Sequence, residues 1–318
     1  MDQSKANSLE MVDQSGPTPT QKGSISLEEH DAIVDDLMDK LKLISSQLKV
    51  EILHRKSAVT NEKMVETYNL DRSHILDPTK EIRVLTYNIW NTNPPWEQRA
   101  FKLVEMITLE RPQVICLQEV RWYEGKNQLD ILKDLLPDYK HSLYIPVVNK
   151  GDISKEEGPA ILSSFEMTPP NILEITNLPQ SSDPNSRICI QTTIVVPDLC
   201  TLQIFHTHLS YDDKQQCNSS PQLMQFMDGY KKADPKAHQI LIGDMNTYFD
   251  FEWPMDYLTG PFNSFMTDTT HNPCAPIFSL HPTSSPPFID AWKEYIRKNP
   301  SHPYKGGYTF TNLKDHRL

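Results

Sequence analysis

The sequence predicts an α/β fold in which two mixed β-sheets pack face to face, with helices on the outside. From Glu81 onward, short apolar segments of strand length alternate with helix-length amphipathic segments. Some strands follow one another at hairpin spacing, whereas others are separated by a helix, so antiparallel and parallel pairs should occur together. The helices are few relative to the strands. Together these observations favour two packed sheets.

Three segments precede this α/β pattern. Residues 1–25 are polar and contain two prolines, so we expect a disordered tail. Residues 26–53 open on a capping box and predict an amphipathic helix. Its apolar positions fall on one stripe: Val34, Leu37, Leu41, Ile44 and Leu48. This stripe is compatible with a coiled coil that self-associates through residues 26–52, and equally with a helix packed on the rest of the protein. Residues 54–80 read as a polar linker.

The elements of the remaining domain, residues 81–318, follow from its apolar periodicity. Strands are predicted at 82–88, 113–119, 141–148, 159–163, 172–177, 187–196, 200–209 and 238–243. Helices are predicted from Trp96 to Glu110, at 127–136, at 221–232 and from Asp290, and proline-rich loops at 271–288. Along the strand at 200–209, Phe205 and Leu209 should face one way, and Ile204, His206 and His208 the other.

Composition narrows the classes of function. The formal net charge is −11, which does not favour a non-specific nucleic-acid binder, because such proteins collect phosphates on a basic surface. The five cysteines form no CxxC pair and are odd in number, so neither a disulfide framework nor a zinc knot is expected. The amino terminus has no apolar signal region, and no apolar run reaches transmembrane length. We therefore expect a cytoplasmic protein.

Acid and amide side chains stand at the ends of three predicted strands. The apolar run Ile240–Ile242 stops at Gly243 and is followed by Asp244 and Asn246. The two other strands end on Asn88 and on Glu119. Mg²⁺ binds oxygen ligands and needs only one or two protein carboxylates. The pattern therefore predicts a Mg²⁺ site for phosphoryl chemistry, which Mn²⁺ would also fit.

Each of these residues has a chemical role available to it. Glu119, with help from Asn88, would hold the cation. Asp244 would orient the attacking water or take its proton, with Asn246 fixing its position. His208, at the end of a strand, would donate a hydrogen bond to a phosphate oxygen. Taken singly, each more often has a structural role: a strand-end asparagine or a Gly-Asp-x-Asn run is usually a turn, and a lone histidine in a strand is usually a buried core residue. A zinc site at His206 and His208 would need further ligands, which no nearby cluster supplies.

In chain order the motifs resemble the endonuclease/exonuclease/phosphatase superfamily, the group that includes DNase I. The segments that carry the resemblance are Thr86–Trp90, Leu117–Val120, Gly158–Ser163, Thr207–Leu209, Gly243–Asn246, Asp290–Trp292 and Tyr308–Phe310. The resemblance covers about 81–312. It implies a four-layered α/β sandwich and Mg²⁺-dependent hydrolysis of a phosphoester.

The resemblance also implies roles for particular residues. Asn88 and Glu119 match the metal-site positions, Asp244 and Asn246 the pair that orients the nucleophile, and His208 a catalytic histidine. His206 would lie beside them without touching substrate, and Glu157 would make at most a contact at the rim. The substrate class stays open among a small phosphorylated molecule, a lipid headgroup and nucleic acid, and the acidic composition favours the first two.

The carboxyl-terminal segment departs from the family pattern. Family members continue through an Arg-x-Asp-Tyr strand to a final Ser-Asp-His motif, whereas here the sequence after Phe310 contains only Asp315-His316 before Leu318. Either this pair stands for the terminal motif, or the carboxyl-terminal strands are missing and the domain is truncated; we expect truncation. Two hypotheses of function follow. The chain is a metal-dependent phosphodiesterase or phosphatase, or it is an inactive or fragmentary member that acts as a binding module through its amino-terminal helix.

Overall fold

The computed structural model describes residues 81–149, 151–152, 155–248, 251–260, 262–283 and 288–302. By its contacts the chain divides into two units, residues 1–73 and 74–318, and all the described residues belong to the second. The predicted tail, helix and linker over residues 1–80 lie outside the described ranges, and so do Asp315 and His316. No helix among the described residues is long and apolar enough to span a membrane.

The first sheet has five strands among the described residues. They are β1 (Val84–Asn88), β2 (Val114–Tyr123), β3 (Lys126–Asn127), β4 (His141–Tyr144) and β5 (Glu157–Ser163). Their order is β1-β2-β5-β4, with β3 paired to the end of β2. Strands β1 and β2 run parallel, whereas the other pairs are antiparallel. The sheet is therefore mixed, as the strand spacing predicted.

The second sheet has four strands within the described ranges. They are β6 (Asn171–Ile175), β7 (Arg187–Val196), β8 (Cys200–His208) and β9 (His238–Asp244), in that order. Here β8 and β9 are parallel, because a helix connects them, and the others are antiparallel. The four strands expected in this region are confirmed: β7 has the predicted bounds, and the ends of the other three differ by one or two residues. In the first sheet, β2 runs four residues beyond its predicted end and β4 stops four residues before it.

Six helices accompany the sheets in the part of the chain that the structure describes. They are α1 (Trp96–Glu110), α2 (Gln128–Leu135), α3 (Asp213–Ala233), α4 (Trp253–Thr259), α5 (Ala275–Phe278) and α6 (Ala291–Lys298), with a 3₁₀ turn at Ser264–Thr267. Helix α3 begins eight residues before the predicted start at 221, because the Asp212 side chain caps it by accepting from the backbone N–H of Gln215. Helix α5 occupies part of 271–288, where only a loop was predicted; its four residues are too few to show a helical period.

Three apolar clusters define four layers. Helices α1 and α2 pack on the outer face of the first sheet, where Leu103 and Leu132 meet Leu117. Between the sheets, Cys116 and Ile161 of the first face Ile190 and Ile204 of the second. Helices α3, α4 and α5 cover the outer face of the second sheet. The order helix, sheet, sheet, helix is the predicted four-layered sandwich.

A disulfide joins two of the outer elements. Cys217 in α3 is bonded to Cys274, which directly precedes α5, and both residues are buried. The expectation that the cysteines would form no disulfide was wrong, because these two are 57 positions apart and only the packing of α5 on α3 brings them together. Cys116, Cys189 and Cys200 are free.

Candidate active site

All five residues proposed for the site lie close together. Asn88, His208 and Asp244 are the last residues of β1, β8 and β9, Asn246 follows β9, and Glu119 lies at a bulge within β2. Asn88 Nδ2 donates to Glu119 Oε1 at 2.8 Å and to Asp244 Oδ2 at 2.9 Å. Beside them, His208 Nε2 lies 3.8 Å from Asp244 Oδ2 and 3.0 Å from Asn246 Nδ2. The fold therefore assembles a carboxylate from each sheet around one amide.

The Asn88 side chain acts through its nitrogen in this arrangement. Its Oδ1 accepts the backbone N–H of Trp90 at 2.8 Å, so the atom facing that donor must be the oxygen. The amide NH₂ then points to the two carboxylates. This geometry suits a group that holds Glu119 and Asp244 apart at a fixed distance.

Glu119 is aimed by an irregularity in β2. The pairing of β2 with β5 shifts register between Leu117 and Val120, and Glu119 there has a positive φ of 59°. Bulges of this kind turn a side chain out of the alternating pattern, and such strained residues concentrate at functional sites. The second oxygen of Glu119 accepts from Asn91 Nδ2 at 3.1 Å. Both oxygens are thus oriented before any ligand arrives.

Asp244 and Asn246 form a tight turn after β9. The Asn246 backbone N–H donates to Asp244 Oδ1 at 2.9 Å, and Asn246 has a positive φ of 50°, which asparagine tolerates well. The Asn246 side chain donates to the Leu209 carbonyl at 2.8 Å, so its remaining N–H is directed at His208 Nε2. A neutral His208 therefore accepts at Nε2 and carries its proton on Nδ1.

The environment keeps His208 neutral. Burial lowers its pKa, and the positive charge of Arg187 lowers it further, while Asp244 and Glu119 act in the opposite direction. His208 is paired in register with Asp244 across the parallel β8–β9 ladder. This pairing explains why two residues 36 positions apart share one site.

His206 lies deeper, between the sheets. Its Nε2 is 2.7 Å from Gln118 Nε2, and the Gln118 amide also donates to Thr86 Oγ1 at 3.0 Å. Burial lowers the pKa of His206 to about 3, so it is neutral. No group of three metal-ligating side chains occurs among the described residues, so the structure gives a zinc site no support. His206 is a buried residue under the site.

A small, open cleft adjoins the site and contains residues that sequence reasoning passed over. Its charged or titratable lining consists of Glu119, Glu157, Arg187 and His208; Val147, Val148, Gly158, Pro159, Ser186 and Ile188 complete it. Arg187 is buried and paired with the buried Asp183 at 2.8 Å. The sequence signal for this ion pair was the acid four residues before the arginine that begins β7.

Gln216 is a second residue that the sequence did not single out. It is fully buried in the first turn of α3, where its Nε2 donates to the Ser210 carbonyl at 2.8 Å and to the Asn246 carbonyl at 2.7 Å. The first carbonyl belongs to the loop after His208 and the second to the turn after Asp244. One amide therefore ties the two loops of the second sheet together.

Comparison with protein-family models matches residues 85–316 to the Endonuclease/Exonuclease/phosphatase family. The chain belongs to this family. The predicted relationship and fold are thereby confirmed. The matched range includes residues 303–316, which lie outside the described ones. In sequence, no curated protein is significantly similar to the chain.

Several solved structures resemble this family member in fold. The catalytic domain of human Nocturnin, solved with a bound sulfate anion, is 21% identical with a TM-score of 0.43, over 52% of this chain and 64% of that one. TDP2 from Caenorhabditis elegans is 18% identical with a TM-score of 0.44, over 77% and 74% of the two chains. A mannosyl-6-phosphatase from Bacteroides thetaiotaomicron is 20% identical with a TM-score of 0.45, over 54% and 69%. The chain spans less than two thirds of the Nocturnin domain.

Proposed function

We propose that this chain is a Mg²⁺-dependent hydrolase of a phosphoester, a phosphodiesterase or phosphatase. The observation that supports it most is the hydrogen bonding of Asn88 to both Glu119 and Asp244, next to the paired His208 and Asn246. Metal-dependent phosphoester hydrolysis needs an oxygen ligand for a hard cation, a group that handles the proton of water, and a donor for the phosphate. The site offers one of each.

The donor set fits Mg²⁺, and Mn²⁺ as an alternative. Carboxylate oxygens are the ligands these ions prefer, and Glu119 presents one at the edge of the cleft. Asn88 contributes by orienting that carboxylate, since its amide nitrogen is the atom that faces it. When bound, the cation supplies charge stabilisation to the phosphate oxygens.

The remaining residues act on the attacking water and on the phosphate. Asp244 orients the attacking water and takes its proton, while the turn to Asn246 keeps the carboxylate in place. His208 lines the cleft and, as a neutral imidazole with its proton on Nδ1, offers an N–H to a phosphate oxygen. Arg187 lies in the same cleft and would add positive charge next to the phosphate.

Hydrolysis of bis(p-nitrophenyl) phosphate by the purified chain tests this proposal. We expect turnover that requires Mg²⁺ and is abolished by a chelator, and a loss of at least about 100-fold in the Asp244→Asn variant, the usual size of a general-base contribution. Asp138→Asn, which changes an exposed acid in the same way, is the control and should keep full activity. Equal rates with and without Asp244 would refute the assignment.

The alternative function, a binding module acting through residues 26–53, concerns residues outside the described ranges and stays a prediction. Deleting residues 1–53 and measuring molecular mass in solution tests self-association directly. It also separates that role from catalysis, because the deletion leaves every residue of the candidate site in place.

A further inference from the structure

Glu157 brings a second negative charge into the candidate cleft. It is the first residue of β5, and its Oε2 forms an ion pair with Arg121 Nη2 at 2.8 Å. It lines the same cleft as Glu119. Any phosphate bound beside Glu119 would therefore also meet the field of Glu157.

The arginines near the cleft are already paired with acids or backbone carbonyls. Arg121 is held by Glu157, and Arg187 is held by Asp183 through two hydrogen-bonding nitrogens at 2.9 and 2.8 Å. Arg99 donates to the Ile89 carbonyl and, at 3.3 Å, to the Asn91 carbonyl. His208 adds no charge, because burial keeps it neutral. The cleft thus lacks the surplus of cations that binding a dianion needs.

The net charge of the site favours a substrate with a single negative charge. Three guanidinium groups face four carboxylates, which leaves a net charge of about −1, and one bound divalent cation would turn this to about +1. A phosphodiester carries one negative charge and neutralises such a site. A phosphomonoester carries close to two at neutral pH and overcompensates it. The groups counted are Arg99, Arg121 and Arg187 with Glu119, Glu157, Asp183 and Asp244.

We propose that the site selects phosphodiesters over phosphomonoesters and that Glu157 is the residue responsible for the discrimination. This rests on the proposed function. Apolar residues also form part of the cleft lining: Val147, Val148 and Ile188. A neutral organic substituent on the phosphate suits these apolar residues, whereas the second charge of a phosphomonoester would exceed the single positive charge of the metal-loaded site and would be repelled by Glu157.

The test compares two esters in one enzyme. The ratio of kcat/KM for p-nitrophenyl phosphate to that for bis(p-nitrophenyl) phosphate is measured with Mg²⁺ at about pH 8, where the monoester is a dianion. The wild type should prefer the diester. Glu157→Gln keeps a hydrogen-bonding partner for Arg121 but removes the charge, and should raise the ratio at least about tenfold. Glu157→Asp retains the charge and should keep the diester preference.

Glu156→Gln is the matched control. Glu156 is the neighbouring acid, accepts from Trp122 Nε1 at 3.1 Å and does not line the cleft, so its loss should leave the ratio unchanged. Wild-type preference for the monoester, or an equal ratio in Glu157→Gln and Glu156→Gln, would overturn the role of Glu157. A merely structural role would lower both rates and leave the ratio constant.

Binding without turnover separates this proposal from the one on which it rests. With Mg²⁺ present, dimethyl phosphate and inorganic phosphate are titrated onto the wild type and onto Glu157→Gln by calorimetry. The variant should gain affinity for inorganic phosphate relative to dimethyl phosphate. Such a gain supports the charge selection even if neither ester is hydrolysed, a result that would refute only the proposed activity; no gain would refute the selection alone.

Discussion

Asn88 Nδ2 donates a hydrogen bond of 2.9 Å to Asp244 Oδ2, although 156 positions separate the two residues in the chain. The same nitrogen bonds Glu119 Oε1 on the neighbouring strand. One neutral donor thus stands between two carboxylates that belong to different sheets. A substitution that changes the charge at Asn88 should therefore change the stability of the protein, which can be measured without a substrate.

Replacing Asn88 with aspartate should destabilise the protein most when no divalent cation is present. The change removes the donor and sets a third carboxylate against Glu119 and Asp244, at a cost of roughly 1–3 kcal/mol. Mg²⁺ should recover part of that loss, because the cation neutralises the cluster. Thermal unfolding in chelator and in Mg²⁺ measures both. Asn93→Asp, on the following loop, is the control. A loss that Mg²⁺ does not reduce would count against a cation at this site.

Gly243 is required by the close approach of β9 to β8. A Cβ at this position would lie 1.8 Å from the Thr207 carbonyl oxygen, and the glycine has a φ of 145°. Gly243→Ala should therefore lower the free energy of unfolding by more than about 2 kcal/mol. Gly229→Ala is the matched control. It lies inside α3 with open space around it and should stabilise the protein by about 0.5–1 kcal/mol. Chemical denaturation of both variants checks the opposite signs.

The disulfide between Cys217 and Cys274 should make a large contribution to stability. Closing 57 residues of chain into a loop removes entropy from the unfolded state worth about 4 kcal/mol in the loop-entropy model. Cys274→Ser should lose most of this, and a reducing agent should lower the melting temperature of the wild type but not of the variant. Cys200→Ser, which removes a free thiol, is the control. Reductant-independent melting of the wild type would contradict the bond.

This bond also bears on location. Disulfides persist in oxidising compartments and are rare in the cytosol. The cytoplasmic location expected from the sequence stays a prediction, and Cys217–Cys274 argues against it.

His206 should make stability depend on pH. Its folded pKa of about 3 lies below the ordinary 6.5, so the unfolded chain binds more protons between those values and stability falls as pH falls below 6.5. For this single group the loss is about 2 kcal/mol at pH 5. Denaturation of wild type and His206→Asn at pH 7.5 and 5 should show a smaller drop in the variant. His238→Asn, on an exposed histidine, should keep the wild-type drop.

The sequence by itself predicted eight of the nine strands among the described residues, their mixed pairing, and the five residues that the fold brings together at the candidate site. Strand ends can be predicted because apolar runs stop at them. Gly243-Asp244 marks one such end, since a glycine and then an acid follow the apolar run. The faces of β8 were also predictable, because side chains alternate along a strand. Phe205 packs outward with α3, while His206 and Ile204 point between the sheets. Strand ends and strand faces depend on residues that are neighbours in the chain, so the sequence is enough to predict them.

Contacts across long separations were decided only by the tertiary structure. The disulfide and the bracing of two loops by Gln216 depend on which surfaces meet, and no sequence period encodes that. The amide of Asn88 is the plainest case. Its position at a strand end could be predicted from the sequence. Its orientation toward Asp244 could not, because only the packing of one sheet on the other brings the two strand ends within hydrogen-bonding distance.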